Sequence, residues 1–257
     1  MEDRIITSLQ NAKVKHLVAL QQKSSLRREE GFFVVEGQRE IEHCISCGYE
    51  IEELFVVNTL NYTGPLPATL VTPQVYEKMA YRESTEGIIA IAKTKPHQLK
   101  DLQLPKDPLV VVLESVEKPG NLGAILRTAD AAHVDAVIVC DPLTDLYNPN
   151  LIRASIGAAF TVPTAVCTSE ECIAYLKERG VRILTAQLQD SYEYYDYDMC
   201  KATAIVMGTE STGLTNQWRE AADAHIRIPM LGRLDSLNVS VSAAILMFEA
   251  VRQRKAK

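Results

Sequence analysis

The sequence lacks a glycine-rich phosphate cradle. Its most apolar early run, Leu109-Val110-Val111-Val112-Leu113, is followed by Glu114-Ser115-Val116-Glu117-Lys118-Pro119-Gly120-Asn121-Leu122-Gly123. Neither G-x-G-x-x-G nor G-x-x-x-x-G-K-S/T occurs there, which argues against dinucleotide and nucleoside-triphosphate chemistry, including a small-molecule dehydrogenase. No apolar run approaches the ~20 residues needed to span a bilayer. The opening Met1-Glu2-Asp3-Arg4 has no secretory pattern, so the expected location is the cytoplasm, without a membrane partner.

Positive charge is also scarce. The chain carries 27 Lys and Arg against 33 Asp and Glu, a net charge of −6. Divided at residue 95, it has 11 basic and 13 acidic residues before the boundary and 16 and 20 after it. A nucleic-acid footprint therefore has to be a local cluster and not a basic domain. The best cluster is Lys13, Lys15, Lys23, Arg27 and Arg28, although charge alone fits a solvated helix face equally well. Among the six cysteines only Cys44 and Cys47 form a C-x-x-C, with no second pair to complete a four-ligand set. That excludes the usual zinc spacings, and the thiols are expected to be buried or half-buried with no metal.

What is present is an α/β pattern in two parts. At 257 residues, two domains are expected. The tract 95–108, KPHQLKDLQLPKDP, has three prolines and little apolar periodicity. It divides a unit at 1–95 from one at 108–257, with a linker over 96–107. The first unit alternates helices (11–21, 37–47, 73–80) with strands (32–36, 53–57, 88–93), indicating a small α/β sandwich. The second has apolar runs at 109–113, 134–140, 160–166, 182–188, 203–207 and 225–230. Helices are expected between them at 121–132, 149–158 and 169–179, and at the end over 238–254. That is an open, mostly parallel sheet with helices on both faces. The tract SYEYYDYD (191–198) interleaves tyrosines with carboxylates, which repel phosphate, so an exposed connection or subunit contact is expected.

Three segments carry chemistry. In the first, Asn121 reads as a helix N-cap. Leu122, Ile125, Leu126 and Ala129 follow at i, i+3, i+4 and i+7 as the buried stripe, which sets Arg127 about 150° away from its centre. The second is Asn148-Pro149-Asn150-Leu151-Ile152-Arg153-Ala154-Ser155-Ile156-Gly157-Ala158, where Pro149 and small residues fit close packing as well as function. The third, residues 201–249, has two strands ending in loops dense in Gly, Glu, Ser and Asn, and ligand crevices form at such strand ends.

Taken together, the segments resemble the SpoU (TrmH) family of RNA 2′-O-ribose methyltransferases. The matching pieces are Asn121-Leu122-Gly123 with Arg127, Arg153-Ala154-Ser155 with Gly157-Ala158, and Gly208-Thr209-Glu210 with Gly213-Leu214. Ile228-Pro229-Met230 and Ser236-Leu237-Asn238-Val239-Ser240 complete the third motif. The first unit resembles the family's substrate-binding domain through Ile6-Thr7-Ser8-Leu9-Gln10-Asn11, Arg27-Arg28-Glu29-Glu30-Gly31-Phe32-Phe33 and Val35-Glu36-Gly37. His133 stands where the family commonly has glycine, and Ser211-Thr212 follow Glu210 where glycine is frequent.

The resemblance implies an α/β-knot (SPOUT, deep trefoil) methyltransferase domain behind a smaller L30e-like α/β domain. It implies S-adenosylmethionine as cofactor, held by backbone near Gly208, Ile228 and Leu237, and a homodimer. Asn121, Arg127, Glu210, Ser236 and Asn238 match the family's functional positions. The extra N-terminal unit points to 23S ribosomal RNA as substrate. A tRNA methyltransferase and a non-catalytic RNA-binding or ribosome-assembly factor on the same fold are the alternatives.

Overall fold

The computed structural model describes residues 5–58, 64, 66–81, 86–209, 212–234 and 236–255. The chain forms two compact units, residues 1–96 with 145–161, and residues 97–144 with 162–257.

In the first unit the strands are β1 (Phe32–Glu36), β2 (Ile51–Val56), β3 (Thr69–Leu70) and β4 (Ile88–Lys93), in sheet order β1-β4-β2-β3. β4 pairs antiparallel with both β1 and β2, and β2 pairs parallel with β3. Strand alternation sends successive side chains to opposite faces. Val34, Phe55, Ile89 and Ile91 pack with α1 (Ala12–Gln22) and α4 (Pro73–Met79) through Leu17, Leu20 and Tyr76. Phe33, Val35, Leu54 and Ala90 pack with α3 (Gln38–Ser46) through Ile41 and Cys44.

A helix absent from the sequence expectations, α2 (Ser24–Glu30), precedes β1 and ends at Gly31, whose φ of 72° is left-handed. Gly31 N–H donates to the Arg27 carbonyl at 2.9 Å, a C-terminal stop that glycine makes without steric strain.

The segment 145–161, read from the sequence as part of the second unit, lies within the first. Its helices α6 (Pro149–Ser155) and α7 (Ala158–Thr161) bring Ile152 and Phe160 into the Phe33 cluster. Tyr147 lies over Phe33 with ring centroids 4.2 Å apart.

Arg27 fastens this segment. It is 3% exposed; its Nε and Nη2 donate to the two Asp145 carboxylate oxygens at 3.1 and 2.6 Å. Nη1 donates to the Leu20 and Gln21 carbonyls at 2.5 and 3.1 Å. Arg27 belongs to the basic cluster expected to meet RNA. Four of its five N–H donors, however, are placed on Asp145 and two carbonyls and the guanidinium is buried, a setting that favours a structural role. Removing one partner strands the other's charge. Arg27→Ala is expected to destabilise the protein by about 3–5 kcal/mol, measured as a lower urea midpoint, and Arg27→Lys should not restore it because an ammonium lacks the fork. A loss below ~1 kcal/mol, as for a surface pair, would refute this reading.

The second unit is a seven-stranded sheet in the order β7-β6-β5-β10-β8-β11-β9. These strands are β5 (Leu109–Glu114), β6 (Ala136–Cys140), β7 (Thr164–Cys167), β8 (Arg182–Ala186), β9 (Tyr192–Glu193), β10 (Thr203–Met207) and β11 (Ala224–Arg227). Every pairing is parallel. β5, β6 and β10 are buried at every position, which is why they read as continuous apolar runs. The two late strands insert between earlier ones, β10 between β5 and β8, and β11 between β8 and β9.

Helices α8 (Ser169–Glu178) and α9 (Asn216–Ala221) cover one face through Cys172, Leu176 and Trp218 against Val110, Val112 and Val206. The last helix, α10 (Val239–Lys255), packs on α5 (Pro119–Ala131) and β10. Arg254 anchors its far end, its guanidinium donating to the carbonyls of Asp107, Pro108, Met199 and Lys201 at 2.7–3.0 Å.

Two expectations change here. The run 160–166 is not one strand: α7 occupies its start and β7 begins at Thr164. Within the expected linker, Leu99–Asp101 forms a 3-10 turn, and Leu99, Leu102 and Leu104 pack on the core of the second unit.

Candidate active site

The site grows from the ends of three parallel strands. Beyond β8 come Gln187, Leu188 and Gln189; beyond β10, Gly208 and Thr209 with Thr212–Leu214; beyond β11, Ile228 and Met230. Together with Ser236, Leu237 and the first turns of α10, these residues line one cleft of about 370 Å³. That volume suits a small-molecule site, and the strand ends are its expected place in a parallel sheet.

Gly208 is where the loops crowd most. A Cβ built there would lie 2.3 Å from the Gly213 carbonyl carbon and oxygen and 2.6 Å from the Leu214 nitrogen. The loop closes on itself: Gly213 N–H donates to the Thr209 carbonyl at 3.1 Å, and Thr212 N–H donates to Thr209 Oγ1 at 3.0 Å. Gly208, Ile228 and Leu237, expected from the sequence to hold a cofactor, all line the cleft, as does Ser236. Glu210 lies outside the described residues.

Asn121 is not the helix cap. Pro119 occupies the first turn, so α5 starts two residues earlier than expected, after Lys118, as the preorganised φ of proline favours. Freed from capping, Asn121 Oδ1 accepts from Asn238 Nδ2 at 3.1 Å. Asn238 Oδ1 in turn accepts from Ser240 N–H at 3.0 Å and Ser240 Oγ at 2.6 Å, at the start of α10. One asparagine pair thus joins segments 117 residues apart.

Arg127 is exposed. The opposite stripe of α5, Leu122, Ile125, Leu126 and Ala129, is at most 1% exposed, so the side chain points off the core as the periodicity predicts. Arg127 is not among the cleft-lining residues. Past the end of α5, His133 has φ +52°, a left-handed backbone that costs a non-glycine residue roughly 1–2 kcal/mol.

Sequence reasoning missed Gln187, Leu188 and Gln189. The apolar run 182–188 reads as one strand, but β8 ends at Ala186, and the next three residues turn to the cleft. In the middle segment Ser155 is 1% exposed. Its Oγ donates to the Ile152 carbonyl at 2.8 Å and accepts from Ala159 N–H at 3.2 Å, linking α6 to α7. Close packing explains that serine. Of the basic cluster, Lys15, Lys23 and Arg28 are exposed, and Lys13 is exposed but paired with Glu53 at 2.5 Å.

The SpoU rRNA Methylase family model matches residues 108–248, over half of the chain. The chain belongs to the SpoU rRNA methylase family. The MRM3-like substrate binding domain model matches residues 11–90. The 23S rRNA (guanosine-2′-O-)-methyltransferase RlmB of Vibrio vulnificus is 36% identical over 230 residues, covering 86% of this chain and 92% of that protein. The 23S rRNA (uridine(2479)-2′-O)-methyltransferase of Streptomyces viridochromogenes is 30% identical over 273 residues, covering 98% and 93%. The AdoMet-bound rRNA methyltransferase of Sinorhizobium meliloti superposes with a TM-score of 0.88 at 30% identity over 97% of each chain. The architecture of this SpoU chain is therefore that of known SpoU methyltransferases, and its strand-end cleft falls within the matched region.

Proposed function

We propose that the protein transfers a methyl group from S-adenosylmethionine to a ribose 2′-hydroxyl of 23S ribosomal RNA. The observation that carries this reading is the strand-end cleft, which gathers the third-motif loops beside the Asn121–Asn238 pair. The cleft fits the cofactor in chemistry: Leu188, Met207, Ile226 and Leu246 offer apolar wall, while Gln187, Gln189, Thr209 and Ser236 offer polar groups. The likeness to an AdoMet-bound rRNA methyltransferase supports the same assignment.

The bound cofactor supplies an electrophilic methyl on a sulfonium, which departs as a neutral thioether. The task left to the chain is alignment of the 2′-oxygen and help with one proton. Arg127 is a poor base because guanidinium keeps its proton far above neutral pH. Its role here is a bidentate hold on an RNA phosphate that positions the hydroxyl. The Asn121–Asn238 pair holds α5, which carries Arg127, in register with the loop that carries Ser236.

The decisive assay supplies the full-length protein with labelled S-adenosylmethionine and either 23S ribosomal RNA or transfer RNA, then maps the modified ribose. The first unit reads the RNA through Lys15, Lys23 and Arg28, by shape and single-stranded bases. Replacing all three with Ala should raise KM for RNA and flatten its salt dependence while leaving cofactor affinity unchanged. Cofactor binding without transfer to either RNA would favour a non-catalytic binding factor, and transfer to tRNA alone would overturn the rRNA assignment.

The working form is a homodimer joined through the second unit, in the cytoplasm. Besides its buried face, α10 presents Val241 and Phe248 at 47% and 48% exposure, apolar surface suited to a two-fold contact. No helix among the described residues is long and apolar enough to cross a membrane. Light scattering at micromolar concentration should give twice the chain mass, and a fully active monomer would refute the dimer.

A further inference from the structure

Three cysteines far apart in sequence meet at one edge of the second unit. Cys140 ends β6, Cys167 ends β7, and the two are register partners on adjacent strands. Cys172 comes from the second turn of α8. The three Sγ atoms lie within 4.8 Å of one another, and Cys140 Sγ is 4.0 Å from Cys167 Sγ. Cys140 and Cys172 are fully buried, while Cys167 is half-buried and gives the cluster an opening to solvent.

Isolated thiols in a core act as small hydrophobes, but three of them converging from three elements form a donor set. We infer that Cys140, Cys167 and Cys172 form a trigonal thiolate site for a soft monovalent cation of the Cu(I) type. With metal–sulfur bonds of about 2.3 Å, a planar three-sulfur site has sulfurs about 4.0 Å apart, which is the Cys140–Cys167 separation.

Coordination stops at three. No histidine or carboxylate among the described residues joins the cluster. Two acids close in sequence are committed elsewhere. Asp141 Oδ2 accepts from Ser169 Oγ at 2.6 Å and from Ser169 N–H at 3.1 Å. Glu171 Oε2 accepts from Thr168 N–H and Oγ1 at 2.8 and 3.0 Å. Soft thiolates without a hard oxygen ligand favour Cu(I) over Mg²⁺, Ca²⁺ or Mn²⁺. Each ligating thiol gives up its proton to solvent, so affinity should rise with pH. The bound cation and the N-terminal end of the ten-residue α8 offset part of the thiolate charge.

The test titrates the reduced, full-length protein anaerobically with Cu(I) against a bathocuproine competitor. One equivalent should bind with a thiolate-to-copper charge-transfer band. Cys167→Ala, at the half-exposed corner, should fold normally by thermal melting and lose affinity by more than the roughly 10–100-fold typical of losing a supporting partner. Cys172→Ser should lose the band as well, while a Cys44→Ala/Cys47→Ala double variant should keep it. Undiminished uptake by folded Cys167→Ala, loss of uptake in the Cys44/Cys47 variant, or no stoichiometric uptake by the wild-type protein would each overturn the site.

Discussion

Arg127→Ala is expected to abolish methyl transfer while leaving the fold and cofactor affinity as they are. The side chain is exposed on the face of α5 opposite the buried stripe, so its removal opens no cavity and strands no buried charge. Surface changes of that kind stay within about 0.5 kcal/mol of wild type. The loss should appear in kcat and be at least about 10²–10³-fold, the scale for removing one preorganised donor from a reacting centre. Arg127→Lys should recover only part of it, because an ammonium keeps the charge but not the two-pronged hold on phosphate. Near-normal turnover by folded Arg127→Ala would remove the residue from the mechanism.

The second large effect is expected at Gly208. Gly208→Ala places a methyl 2.3 Å from main-chain atoms of Gly213, and main chain cannot yield as a flexible side-chain tip can. The 208–214 loop has to open, taking with it part of the wall of the cleft. Calorimetry with S-adenosylmethionine should show binding reduced beyond detection, with transfer lost in parallel. Gly232→Ala, where an added Cβ meets nothing within 4 Å, is the control and should bind as wild type. Wild-type affinity in Gly208→Ala would mean that this loop does not hold the cofactor.

The buried Arg27 ties the first unit to its 145–161 segment. Deleting residues 1–95 would leave Asp145 without its guanidinium and Tyr147, Ile152 and Phe160 without Phe33. Such a truncation measures misfolding as well as substrate recognition. Point changes at Lys15, Lys23 and Arg28 leave that packing in place, so they separate the two.

Local pattern determined much of this protein. β1 and β4 occupy the residues expected of them, 32–36 and 88–93, because β-rich runs bounded by turns signal themselves within a few residues. The stripe of α5 and the outward aim of Arg127 follow from helical geometry, and the motif residues pointed to the strand-end loops. Tertiary structure decided the rest. It turned Arg27 inward to meet a carboxylate 118 residues away and drew the 145–161 segment into the first unit. It also paired Asn121 with Asn238 and brought three scattered thiols together. A one-dimensional pattern reports the periodicity of an element and the charge of a side chain. It does not report which distant group that side chain will meet, and burial, pairing and ligation depend on that meeting.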